Sequence, residues 1–144
     1  MYSIVDNNNM KRNIFKNFFL CGFIGWCLEC LWTGMASIIE GKDKKLHCTT
    51  SMWMFPIYGM ACMIPPIRQC FRKCSIFVRG FIYSVLIFLV EYISGSILKK
   101  YHACPWSYEN ARFNFRGVIR LDYAPIWFFV GLLYEKFLCP KSPS

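Results

Sequence analysis

Three of the four apolar segments in this chain carry a glutamate, and each glutamate shares a helical face with small residues. They are NFFLCGFIGWCLECLWTGMASII with Glu29, GFIYSVLIFLVEYISGSIL with Glu91, and APIWFFVGLLYEKFL with Glu135. A carboxylate in hydrocarbon costs about 2.5–3.5 kcal/mol on insertion scales, so such residues face the inside of a helix bundle and are functional candidates by default. The feature constrains the fold to a small multi-pass membrane protein with a polar interior.

Composition agrees. Hydrophobic residues make up 56% of 144 and aromatics 19%, and mean hydropathy is +0.32. The apolar residues lie in blocks between basic loops, a pattern that a soluble amphipathic core does not need. The formal charge of +9 invites a nucleic-acid reading. Lys and Arg instead collect at the ends of apolar segments, where they meet headgroups and set topology, and no nucleic-acid-binding motif accompanies them. The nine cysteines are odd in number and several lie inside apolar segments, unlike an even, loop-placed disulfide framework.

The expected fold class is all-α, a polytopic membrane bundle of about four transmembrane helices in one domain over residues 1–144. Residues 1–13 read as a polar tail, followed by a retained first helix rather than a cleaved signal. The expected spans are 17–39, 51–67, 80–98 and 124–139. The first is about 35 Å long as a helix, enough to cross ~30 Å of hydrocarbon. The second holds Pro56, Pro65 and Pro66 and must bend or end early. Lys and Arg totals on the two sides are almost equal. The second loop, with Arg68, Arg72, Lys73 and Arg79, is the densest, which sets both termini on the cytoplasmic side of the plasma membrane.

Between the third and fourth spans lies an aromatic stretch, 99–123. The alternation in ArgPheAsnPheArg and IleArgLeuAspTyr predicts short extended pieces. A loop this rich in aromatics should be ordered over the bundle mouth. Trp106, Tyr108, Asn114, Arg120 and Asp122 are its candidate mouth residues.

At 100° per residue, Gly22, Gly25, Glu29, Trp32 and Ala36 fall within about 80° of arc, and Gly80, Ser84, Glu91 and Gly95 within about 60°. Such stripes are helix–helix contact faces. They place Glu29 with Trp32, and Glu91 with Ser84, beside a shared polar interior. Glu135 sits near a span end beside Lys136 and reads as a structural residue. Cys27-Leu-Glu-Cys30 has CxxC spacing, but Glu29 points about 100° or more from each cysteine. His47–Cys48 and His102–Cys104 are the remaining metal-ligand types, and solvated loop histidines account for them. No metal, cofactor or catalytic set is expected. The chain has no Walker A loop, GxSxG or HExxH, so any energy-coupling ATPase is a separate subunit.

Taken in order, a further set of residues carries a resemblance. It comprises Gly22-Phe-Ile-Gly-Trp-Cys-Leu-Glu29, Thr50-Ser-Met-Trp53, Pro56-Ile-Tyr-Gly59, Glu91-Tyr-Ile-Ser-Gly95 and Ala103-Cys-Pro-Trp106 with Tyr108. The set ends with Phe113-Asn-Phe-Arg-Gly117, Ile119, Leu121, Asp122, Tyr123 and Trp127. The chain resembles the four-span bacterial membrane proteins classed as ABC-transporter permeases of the CmpB-like kind, and is similar to the eukaryotic transmembrane protein 229 family. Ser107 stands where that family often has Asp. The resemblance implies an integral membrane protein of about four helices.

Three functions compete. A permease-like component would use Glu29 and Glu91 to bind a cation, a proton or a polar group. A scaffold would pack against a partner membrane protein through its small-residue faces. An enzyme on a lipid-linked substrate would use one glutamate as general base, and it ranks below the other two for want of a nucleophile or metal set.

Overall fold

The computed structural model describes residues 2–41 and 44–139, with the side chains of residues 2–12 outside that description. Lys42 and Lys141, which enter the topology argument, also lie outside it. The elements in order are α1 (Tyr2–Ile39), α2 (Met54–Gly59), a 3₁₀ turn (Met60–Met63), α3 (Ile64–Cys70) and α4 (Ile76–Lys100). Strands β1 (Asn114–Phe115) and β2 (Ile119–Arg120), a second 3₁₀ turn (Leu121–Tyr123) and α5 (Ala124–Leu138) complete the chain. The protein is mostly helical, and its described strands form one short antiparallel pair. Helix α1 already runs from Tyr2, through the stretch read as a polar tail.

Two helices are long and apolar enough to cross a membrane, Asn13–Ile39 and Ile76–Lys100. At 1.5 Å per residue they measure about 40 and 37 Å, against ~30 Å of hydrocarbon. Only 17% and 22% of their most apolar windows are buried, so they are not the core of a soluble fold. Phe23, Leu31, Phe77 and Phe81 stand outward from them. The other two expected spans fall on shorter helices. The 51–67 segment is split where Pro65 and Pro66 start α3 behind a 3₁₀ turn, because proline has no N–H to continue the preceding helix. Helix α5 has 15 residues, about 22 Å.

The chain divides into two compact units, Met1–Cys62 and Met63–Ser144. In the first, α2 packs on α1. The Phe55 ring lies over Gly22, and Tyr58 fills the space a Cβ on Gly25 would need. Phe55 makes ring contacts with Phe18, Phe19, Phe23 and Trp26. The non-helical residues 46–51 then run along the second half of α1.

In the second unit, the Ser75 hydroxyl accepts from the Val78 N–H and caps α4, satisfying one of the orphan donors of a helix start. Helices α4 and α5 run antiparallel, with Arg79 meeting Glu135 and Ser84 meeting the Ala124 carbonyl. They interlock reciprocally, Phe128 against Gly80 and Tyr83 against Gly131.

The aromatic loop docks on one face of α4. Trp106 and Val118 cover Gly95. Tyr92 accepts from Arg116 at 2.8 Å, and Lys99 pairs with Glu109. The expected extended pieces are β1 and β2, paired Asn114 to Arg120 and Phe115 to Ile119. Arg116 and Gly117 have φ of 54° and 67°, as the two central residues of a type I′ turn require.

The loop's seat on Gly95 predicts the effect of filling that position. Gly95→Leu should cost about 1–3 kcal/mol by overpacking. Tryptic cleavage after Arg112, Arg116 and Arg120 should then accelerate about tenfold or more, since cleavage tracks the open population. Unchanged cleavage would show that Gly95 does not seat the loop.

Candidate functional site

Glu29 and Glu91 belong to different units, and each finds partners within its own. Glu29 is half-buried on α1 and accepts from the Thr50 hydroxyl at 2.7 Å. One turn on, the Thr33 hydroxyl accepts from the Thr49 N–H and reaches the Thr49 carbonyl, both at 3.1 Å. One turn back, the Trp26 indole donates to the Ser51 carbonyl at 2.9 Å. Trp26, Glu29 and Thr33 therefore form a polar edge, at the spacing that lines one side of a helix, and it binds Thr49-Thr50-Ser51. The expected neighbour Trp32 is 62% exposed, so Trp26 is the tryptophan of this edge. Thr33 and Thr50 were not among the expected site residues. A hydroxyl one turn from a buried glutamate was the available signal.

Glu91 is buried in the second unit. Its Oε1 accepts from the Tyr108 hydroxyl at 3.3 Å, and the Trp127 indole lies near the same carboxyl group. Neither Glu91 Oε2 nor Trp127 Nε1 completes a hydrogen bond. Among the described residues, no Lys or Arg pairs with Glu91. The expected partner Ser84 is satisfied elsewhere, donating to the Gly80 carbonyl at 3.1 Å.

Of the expected mouth residues, Tyr108 touches Glu91, and Arg120 and Asp122 connect to Tyr108 through Tyr123. Tyr108 packs edge-on to Tyr123, and Tyr123 to Trp127, with centroids 6.0 and 6.2 Å apart. Arg120 lies 4.6 Å over the Tyr123 ring and grips Asp122 through Nε and Nη2 at 2.9 Å each. That guanidinium holds the Asp122 carboxyl below its ordinary range, and the Lys99 ammonium does the same for Glu109. Asn114 ties the hairpin, donating to the Ala111 carbonyl at 2.6 Å and accepting from the Gly117 N–H at 3.1 Å. Trp106 donates to the Val118 carbonyl at 3.1 Å.

Glu135 is provided for by charge. Its carboxylate accepts from Arg68 Nε at 3.2 Å, from Arg79 Nε at 3.0 Å and Nη2 at 3.1 Å, and from the Tyr83 hydroxyl at 2.6 Å. Arg68 and Arg79 entered the sequence reading only as loop charges. They stand 67 and 56 residues from Glu135, and no local pattern joins them. Among the described residues, no group of three His, Cys, Asp or Glu is placed to hold a metal ion.

Two long apolar helices whose large side chains stand outward fit a membrane protein. Residues 16–142 match the family described as "Putative ABC-transporter type IV" (ABC_trans_CmpB), and the chain belongs to that family. No solved structure matches it.

The two buried carboxyl groups of the second unit should respond unequally to the isosteric amide. Glu135→Gln leaves two guanidinium groups facing a neutral side chain. It should cost stability near the lower end of the about 3–5 kcal/mol seen for broken buried pairs. Glu91→Gln keeps the shape and an acceptor for Tyr108, and should stay within about 1 kcal/mol of the parent. Thermal unfolding in detergent reads both. Equal losses would contradict the assignment.

Proposed function

We propose that the protein is the membrane component of a transport system and that Glu91 is its proton- or cation-exchanging site. The observation that carries this reading is the incomplete hydrogen bonding of Glu91 Oε2 and Trp127 Nε1, in a place without a cationic side chain. A buried carboxyl group without a counter-charge is stable as the neutral acid, or with a cation brought from outside. Such a group takes up and releases its charge partner, which a pair like Glu135 with Arg79 cannot do cheaply. Trp106, Tyr108, Asn114, Arg120 and Asp122 shape the approach to Glu91. Glu29, with Thr50, is a second polar station, on α1. Both termini face the cytoplasm, and a separate ATPase subunit supplies energy, in line with the family description.

A scaffold role is the second reading. It is favoured by the exposed apolar faces of α4 and α5, where Phe77, Phe81, Phe129 and Phe137 stand outward. A partner membrane protein could cover them as well as lipid does.

Affinity purification of the full chain from native membranes separates the two. Transport predicts a stoichiometric ATP-hydrolysing subunit, retained when Glu91 is changed to Gln while transport-coupled ATP hydrolysis is lost. A stoichiometric integral membrane partner with no ATPase would replace this reading with the scaffold.

A further inference from the structure

Two cysteines far apart in sequence meet beside Glu29, and neither has a part in the function proposed above. Cys48 lies beside the Cys30 thiol. The register of the surrounding bonds shows why. On α1, Cys30 lies between Glu29 and Thr33, and on the facing segment Cys48 directly precedes Thr49 and Thr50. Thr49 is bonded twice to Thr33, and Thr50 once to Glu29. The Cys48 Cβ and the Leu46 carbonyl oxygen lie 3.8 and 3.4 Å from where a Cβ on Gly34 would stand. Gly34 follows Cys30 by one helical turn and so shares its face. The absent side chain at Gly34 lets the segment come close to the face of α1 that carries Cys30. Cys48 is exposed and Cys30 half-buried, so a reagent reaches one thiol directly and the other through it.

We propose that Cys30 and Cys48 are a dithiol that takes a disulfide oxidant and closes to an intramolecular disulfide, fastening residues 48–51 to α1 over Glu29. The oxidant is a small-molecule disulfide of the glutathione class. The Cys48 thiolate attacks one of its sulfurs, breaking the oxidant's S–S bond and releasing the first thiol. The Cys30 thiolate then attacks the mixed disulfide at the Cys48 sulfur and releases the second thiol. The two cysteine sulfurs lose two electrons in total, the oxidant is reduced to two thiols, and the two cysteine protons pass to those leaving thiolates. A disulfide formed this way persists in an oxidising compartment and is reversed in a reducing one. Cys27 is also on α1, but it is exposed and lies about 60° from Cys30 around the helix. The pair is therefore Cys30 with Cys48, not the CxxC spacing.

The test uses the full-length protein in detergent, treated with oxidised glutathione, quenched by alkylation and digested with chymotrypsin. Cleavage after Leu28, Leu31, Leu46 and Trp53 isolates Cys30 and Cys48 on separate peptides and removes Cys27 from both. The expected product is a disulfide-linked pair of peptides, Glu29–Leu31 with His47–Trp53. It should be absent from Cys30→Ser and Cys48→Ser and retained in Cys27→Ser. Amide exchange across residues 47–51 should slow about tenfold on oxidation, as expected when a cross-link suppresses local opening, and recover with dithiothreitol. Linkage of Cys48 to any other cysteine would overturn the proposal. So would Cys48 held only as a stable glutathione adduct while Cys30 is alkylated. The wild-type peptide map alone decides between these outcomes if a serine variant fails to fold.

Discussion

The helical part of the second unit depends on the carboxylate of Glu135. Three elements converge on it, α3 through Arg68, α4 through Arg79 and Tyr83, and α5 through Glu135 itself. The convergence needs close backbones, and Gly131, one turn before Glu135, supplies that by admitting Tyr83. Two guanidinium groups and a phenol complete the hydrogen bonding of one carboxylate, the condition under which a buried charge is tolerated. With that end of the α4–α5 pair fixed by charge, Glu91 further along α4 can be left without a counter-charge and the unit still holds. One buried carboxylate is structural, and the other is available for exchange in the proposed function.

The aromatic loop links this frame to Glu91. Its partners on α4 are Glu91, Tyr92, Gly95 and Lys99, a run along one side of the helix that receives Tyr108, Arg116, Trp106 with Val118, and Glu109 in turn. The hairpin turn at Arg116-Gly117 sets the register of that contact. In the first unit, residues 46–51 occupy the corresponding place beside α1. Non-helical backbone needs partners for its N–H and C=O groups. The bonds from Trp26 and Thr33 to the Ser51 and Thr49 carbonyls supply two of them.

Much of this was legible in the sequence, for reasons that differ by element. Apolar blocks marked α1 and α4, and both candidate spans extend about four residues beyond the N-terminal limits read from composition. Backbone hydrogen bonding carries a helix past residues such as Lys16 and Arg79 that hydropathy excludes. The period-two alternation around Asn114 and Ile119 marked the two strands, and the prolines marked the break before α3. The angular stripe on α1 placed Glu29 on a contact face but favoured Trp32 over Trp26. That choice is made by the Ser51 carbonyl, which belongs to a segment with no periodicity of its own. The joining of Glu135 to Arg68 and Arg79, and of Cys30 to Cys48, depends on tertiary contact, and each residue type alone had an ordinary local explanation.

The central claim is that Glu91 is a carboxyl group without a resident counter-charge. Infrared difference spectroscopy of the purified protein at neutral pH, in a buffer free of metal cations, tests it most directly. The account predicts a carbonyl stretch of a protonated, buried carboxylic acid that shifts in heavy water. It should vanish in Glu91→Gln and survive in Glu29→Gln. A wild-type spectrum without that stretch, in which Glu91→Gln instead removes an ionised-carboxylate band, would contradict the account.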